Sequence, residues 1–206
     1  MSFTLWFMGR PAAGKSTLAK RIEEELRSRG IKVENLDGDE IRQNLHPELG
    51  FTKDDRRINN RRTAFIAKLL NRNDIAVVTG MITPFRESQQ QAREIVEEEG
   101  TFVLIYVKCS VDEAARRDPK ELYERAKAGK IENFTGINHP FEEPHNPEIV
   151  VDTETQTIDE CLAHIRERLD ELGVLESGAV GDYSLNIDRT KELEIEDRLR
   201  DMGYID

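Results

Sequence analysis

The stretch "GRPAAGKST", Gly9–Thr17, decides the fold. It follows the apolar run "FTLWFM" that begins at Phe3, and its spacing is G-x-x-x-x-G-K-S. In that pattern successive backbone N–H groups turn inward around a polyphosphate, a lysine reaches the outer phosphates and a hydroxyl serves Mg2+. Lys15 and Ser16 occupy those two positions. Downstream, Leu18, Ile22 and Leu26 recur four apart, as one face of a helix requires. A strand feeding a glycine loop and then a helix is the context this chemistry needs, because the helix N-terminus brings its partial positive charge to the phosphates. The alternative for the loop alone is a glycine-rich turn that binds nothing.

Further apolar runs recur along the chain: "IKVENL" from Ile31, "IAVVTG" from Ile75, "FVLIYVKC" from Phe102 and "EIVVDT" from Glu148. Helical patterns lie between them, including "DDRRINNRRTAFIAKLLNR" and "FRESQQQAREIVEEEG". Strands alternating with helices predict an α/β fold with three layers: a mostly parallel sheet covered by helices on both faces. Ligands in such folds bind at the carboxyl ends of the strands. Apart from Cys109, those ends are rich in charge, hydroxyls, Gly and Pro. After Thr153, Ile158, Leu162, Ile165 and Leu169 form the apolar stripe of a closing helix. Residues 1–173 read as one domain. Residues 174–206 read as a linker and an acidic tail, in which Ile195, Leu199 and Met202 form a short stripe that either docks or frays.

With 206 residues the chain can bury a sizeable core, and its net charge of −11 argues against a broad nucleic-acid or anionic-membrane surface. Any anion site must be a local basic pocket in an acidic shell. Cys109 and Cys161 show no paired spacing and are expected as reduced, buried thiols. His46, His139, His145 and His164 share no metal-ligand spacing and are expected at the surface or in loops. The start of the chain lacks a signal pattern, and no apolar run approaches membrane-spanning length, so a soluble cytoplasmic protein is expected.

Three stretches carry candidate chemistry. "LDGDEIR" sets Asp37 and Asp39 at a strand end beside the phosphate loop, where carboxylates can hold Mg2+ through water and take a proton from a hydroxyl. D-G is also turn chemistry, and Asp39 could cap the next helix. "GFTKDDRRINNRR" sets Arg56 and Asn59 one turn apart behind Phe51, a set suited to an anionic acceptor with a planar base, or else an ordinary solvated helix face with one buried Phe. "ARRDPKELYERAKAG" is a basic segment that either folds over a nucleotide as a lid or remains a solvated helix.

Together these stretches resemble the adenylylsulfate kinase (APS kinase) family of P-loop kinases. The resemblance is carried by "GRPAAGKST", "LDGDEIR", "LGFTKDDRRINNRR", "ITPFR", "RDPKELYERAKAGKIENFTGI" and "PFEEPHNPEIVVDT", in the family's order, over roughly residues 3–173. It implies ATP-dependent phosphorylation of the 3′-hydroxyl of adenosine 5′-phosphosulfate, a step of sulfate activation, with ATP and Mg2+ as cofactors. By this resemblance Gly9, Arg10, Pro11, Ala12, Ala13, Gly14, Lys15, Ser16 and Thr17 hold ATP together with Arg116, and Ser16 is the metal ligand. Lys15, Asp39 and Thr83 are the implied catalytic residues. Asp39, Arg42, Phe51, Arg56, Asn59, Ile82, Thr83, Lys120 and Phe134 line the acceptor site, with Phe51 and Phe134 sandwiching its adenine. The segment from Arg116 to Lys130 becomes the lid. A homodimer is implied, with ATP sulfurylase as a further partner, and no nucleic acid or membrane.

The chain departs from the family pattern at Pro11 and Ala12 (usually Ser-Gly), at Thr83 (usually Ser), at Ile58 and Asn60 (usually Glu and Ile) and at Asn138 (usually Asp). Thr83 keeps a hydroxyl, although direct in-line transfer needs no phosphorylated intermediate there. These changes touch the acceptor site and its surroundings more than the ATP site. Two other readings follow: a P-loop kinase of another nucleotide-like acceptor, and a nucleotide-binding subunit without turnover. Intact Lys15, Ser16 and Asp39 argue against the second.

Overall fold

The computed structural model describes residues 2–118 and 121–175. Five strands appear in chain order: β1 (Phe3–Met8), β2 (Val33–Asp37), β3 (Ala76–Met81), β4 (Thr101–Lys108) and β5 (Ile149–Asp152). The helices are α1 (Lys15–Ser28), α2 (Gly38–Asn44), α3 (Lys53–Arg72), α4 (Arg86–Val96), α5 (Val111–Arg117), α6 (Leu122–Lys127) and α7 (Ile158–Glu171). All five expected strands form, and every pairing between them is parallel, in the order β2-β3-β1-β4-β5. The order places β1, and the phosphate loop that follows it, at the centre.

Burial explains the arrangement. Every residue of β1 and of β3 is buried, as strands covered on both faces require. On one face, α1 and α7 present Leu18, Ile22, Leu26, Cys161, Leu162 and Ile165 to Leu5, Phe7 and Ile105. On the other, α3 and α4 present Ala64, Ala67, Ala92 and Val96 to Trp6, Met8 and Leu104. Capping boxes start α3 (Thr52 with Asp55) and α7 (Thr157 with Glu160), fixing where each chain segment leaves its loop. Gly9 has a steric reason: a Cβ there would meet the Val107 carbonyl oxygen at 2.4 Å, so only glycine lets the phosphate loop leave β1 beside β4.

His46 lies in the loop after α2, within the expected range of settings, and is buried there at 3 % exposure. Two expectations change. Ile158 does not join the buried stripe of α7: it is half exposed, and Cys161 takes the inward place one turn on. Val174 and Leu175, at the start of the expected linker, still pack against the core. The remainder of that linker and the stripe of Ile195, Leu199 and Met202 lie outside the described residues. Both thiols are free and buried, as expected. Among the described residues no helix is long and apolar enough to cross a membrane.

Candidate active site

The loops after all five strands converge on one cavity of about 1250 Å3 at the carboxyl edge of the sheet. A single small molecule usually occupies ~300–1,000 Å3, so this space suits two. Its floor is the phosphate loop, Pro11 to Thr17. The loop closes on itself: Lys15 Nζ donates to the Arg10 carbonyl at 2.7 Å, and Ala13 N donates to the same oxygen at 3.3 Å. Gly14, at φ 92°, starts α1 and leaves that helix's first N–H groups facing the cavity. Ala12 adopts φ 59°, a left-handed conformation that costs a non-glycine residue about 1–2 kcal/mol. The family's glycine would avoid that cost, so Ala12 stores local strain in the loop.

Lys15 is 8 % exposed. Burial drives its pKa down to about 8, against the opposing pull of Asp39 and Asp37. A buried lysine with a weakened hold on its proton is poised for a polyanion. Beside it, Ser16 Oγ donates to Asp37 Oδ2 at 3.2 Å. Asp37 Oδ1 accepts from the N–H groups of Asp39 and Glu40, at 2.9 and 3.2 Å. The cap of α2 is therefore Asp37, not Asp39, and Asp39 is left on the cavity wall. Among the described residues no group of three or more His, Cys, Asp or Glu could hold a metal. One hydroxyl and one carboxylate beside a phosphate loop is nevertheless the donor set that suits Mg2+, which keeps waters and takes its other oxygens from the phosphates.

From the phosphate loop the cavity extends two ways. Towards β2 and β3 its walls are Asp39, Phe51, Arg56, Ile82 and Phe134. An adjoining smaller cavity, of about 90 Å3, shares Asp39, Phe51, Arg56 and Ile82 and adds Arg42, Asn59 and Thr83. Arg42 lies over the Phe51 ring at 4.7 Å and donates to the Gly50 carbonyl at 2.6 Å. Arg56 donates to the Phe51 carbonyl at 3.0 Å and to the Asn133 carbonyl at 2.8 Å, so it joins the loop before α3 to the segment after α6. Burial, with Arg42 adding repulsion, lowers the Arg56 pKa to about 10. Arg42, on which Asp55 and Asp39 also act, and Arg56 bring two guanidiniums to one side of the cavity, where they can offer an anion charge-assisted donors. Phe134 is buried edge-on against Tyr123, with ring centres 4.8 Å apart. Asn138 holds it in place, its Oδ1 accepting the Phe134 N–H at 2.6 Å and its Nδ2 donating to the Ile131 carbonyl. The neutral amide thus does work that a family Asp could do only in half.

Towards β4 and β5 the walls are Arg117, Leu122, Thr153, Gln156 and Ile158. Thr153 Oγ1 donates to the Ala13 carbonyl at 3.0 Å, tying this wall to the phosphate loop. Tyr123 does the same from α6, donating to the Pro11 carbonyl at 3.0 Å.

The structure moves several expected roles. Arg116 does not line the cavity: its side chain is 74 % exposed and pairs with Glu113. Its neighbour Arg117 does, held flat by Glu113 and by the Thr153 carbonyl at 2.5 Å. Arg10 contributes its carbonyl to the loop while its guanidinium points elsewhere, over Phe141 at 4.6 Å. Thr83 is 1 % exposed, at φ 41°, and its Oγ1 accepts from Trp6 Nε1 at 2.9 Å. Asn59 shares its Oδ1 with His46 Nδ1 at 2.8 Å, a partner that spacing did not suggest. Lys120 lies outside the described residues. Sequence reasoning missed Thr153, Gln156 and Ile158, although a strand end followed by "TETQT" and a helix start was signal enough to search there.

The chain is similar to proteins of one family. A family model described as adenylylsulphate kinase matches residues 1–152. The chain is 44 % identical over 172 residues to an adenylyl-sulfate kinase of Halothermothrix orenii, covering 84 % of this chain and 91 % of that one. It is 46 % identical over 171 residues to a probable bifunctional SAT/APS kinase 2 of Sorangium cellulosum, covering 83 % of this chain but 29 % of that longer protein. Among solved structures, the Mycobacterium tuberculosis APS kinase CysC in complex with AMPPNP and APS superposes with a TM-score of 0.79 at 35 % identity, over 82 % of this chain and 98 % of that one.

Proposed function

Because the chain belongs to the adenylylsulphate kinase family, we propose that its cavity joins ATP and adenosine 5′-phosphosulfate and passes the γ-phosphoryl group of the first to the 3′-hydroxyl of the second. The observation that carries the assignment of residues is the continuity of the cavity. One space runs from Lys15 and Ser16 past Asp39 to Phe51, Arg56 and Phe134.

Each residue then has a physical task. The N–H groups at the start of α1 and the Lys15 ammonium receive the triphosphate. Ser16 and Asp37 are the protein oxygens that would hold Mg2+; the ion, when bound, neutralises charge on the phosphate oxygens. Phe51 and Phe134 offer apolar faces to the acceptor's adenine. Arg42, Arg56 and Asn59 hold its phosphosulfate, which turns the 3′-hydroxyl towards the phosphate loop. Asp39 accepts the hydroxyl proton as that oxygen bonds to the γ-phosphorus and the bond to the bridging oxygen of ADP breaks. Thr83 takes no phosphoryl group in this scheme: its buried oxygen is already bonded to Trp6, and it serves to shape the acceptor wall. Phe65 and Leu69, exposed one turn apart on α3, support self-association as a homodimer as part of the same proposal.

Arg56→Ala separates the two lobes. Loss of a charge-assisted contact should raise the KM for adenosine phosphosulfate by roughly ten- to a hundredfold. The KM for ATP should stay within about twofold, because the triphosphate lies across the cavity. Steady-state kinetics with each substrate varied in turn checks this. A variant that loses ATP affinity instead would reverse the assignment of the lobes.

A further inference from the structure

The wall formed by the ends of β4 and β5 contains a polar side chain that none of the steps above uses. Gln156 is half-buried and lines the cavity. Its Oε1 accepts the Asp152 backbone N–H at 2.8 Å, and the Cys161 thiol lies 3.8 Å from the same oxygen. A backbone N–H can only donate, so the chemistry itself fixes which way the amide is turned. The carbonyl faces the chain, and the Nε2 hydrogens face away from it. Among the described residues nothing accepts a hydrogen bond from Nε2, whereas its neighbours are engaged. Arg117 is committed to Glu113 and Thr153, Thr153 Oγ1 donates to Ala13, and Thr157 Oγ1 pairs with Glu160.

The position of this wall says what it faces. The acceptor lobe lies towards β2 and β3, the phosphate loop follows β1, and the β4–β5 side is the space left for the base of the nucleotide whose phosphates the loop holds. There the Arg117 plane and the apolar Leu122 and Ile158 supply surfaces for a flat ring without reading its edge. We propose that Gln156 is a specificity-determining residue for the donor nucleotide, its Nε2–H donating to a ring-nitrogen lone pair of the ATP adenine. The inference rests on the reading of this cavity as the ATP site.

The test turns on two variants. Gln156→Glu keeps an oxygen for the Asp152 N–H but turns an acceptor, not a donor, towards the base; Gln156→Met removes both. Calorimetry in Mg2+ gives the Kd of ATP and of inorganic tripolyphosphate, which has the phosphates and no base. Kinetics gives kcat and the KM for adenosine phosphosulfate. A neutral hydrogen bond is worth roughly three- to tenfold in affinity, and opposed lone pairs cost more. Gln156→Glu should therefore weaken ATP about tenfold or more and Gln156→Met about threefold. Tripolyphosphate binding, kcat and the KM for the acceptor should remain unchanged in both. ATP affinity within twofold of the wild type in Gln156→Glu would overturn the proposal. So would tripolyphosphate weakening in step with ATP, which would make Gln156 only an anchor of its turn. The binding ratio decides this even if the wild-type protein transfers nothing from ATP, an outcome that would refute the proposed reaction separately.

Discussion

Lys15→Ala is expected to cut phosphoryl transfer by about a thousandfold or more while the protein still folds. The lysine is the buried positive charge of the phosphate loop, inside a chain with a net charge of −11. Removing a preorganised donor aimed at developing charge typically costs on the order of 10²–10³ in rate, and this one carries a full charge. Folding should survive, because the ammonium's hydrogen bond goes to the Arg10 carbonyl at the edge of a large cavity, where water can replace it. The same residue gives the binding a pH signature. With its pKa lowered to about 8, Lys15 is charged below that pH in the free protein and loses its proton above it. A bound triphosphate favours the charged form and raises the pKa, so binding above pH 8 must take up a proton. ATP affinity should be level with respect to this group below pH 8, and should fall by up to about tenfold per pH unit above it. The Lys15→Ala protein should lack that slope. Turnover and calorimetry on a variant with an unchanged circular dichroism spectrum check both points. Near-normal turnover there would contradict the role given to the loop.

Asp39→Asn is expected to lower transfer by on the order of a hundredfold, the usual loss for a positioned base. Asparagine keeps the shape and removes the charge and the basicity. The competing role of helix cap already belongs to Asp37, whose oxygen accepts from the first N–H groups of α2. The two carboxylates should therefore behave differently. Asp37→Ala should lower the thermal midpoint through the lost cap and also the rate through the lost Mg2+ oxygen, whereas Asp39→Asn should lower kcat with the cap of α2 intact. Single-turnover rates beside thermal melts distinguish them. An Asp39→Asn protein that keeps most of its rate would remove Asp39 from the chemistry.

The fold was legible in the sequence because its signals are local. Each strand is a short apolar run bounded by turn residues, and the phosphate loop announces its own geometry. That Phe51, Arg56 and Asn59 gather around one small cavity was legible for a different reason: they are close in the chain, and the resemblance named them together. What escaped depended on direction. Arg116 and Arg117 are adjacent in a basic run, and only the end of α5 against Thr153 decides which one faces the cavity. Ile158 fits a four-residue period and still lies exposed, because it is the first residue of α7, where the helix opens onto the cavity. Asp37 and Asp39 share a turn motif, and hydrogen-bond geometry divides the cap from the cavity wall. Gln156 belongs to no motif, and its meaning comes from the atom that already holds its oxygen.

In the proposed reaction one cavity carries a phosphoryl group from ATP to the sugar of adenosine phosphosulfate. The most direct test is an assay of the purified full chain with γ-labelled ATP, Mg2+ and a panel of nucleotide acceptors that includes adenosine 5′-phosphosulfate. The expected result is label at the 3′ position of that acceptor, with one ADP formed per label transferred and little transfer to nucleotides lacking the charged 5′ group. Brisk transfer to another acceptor with none to adenosine phosphosulfate, or no transfer to any, would contradict it.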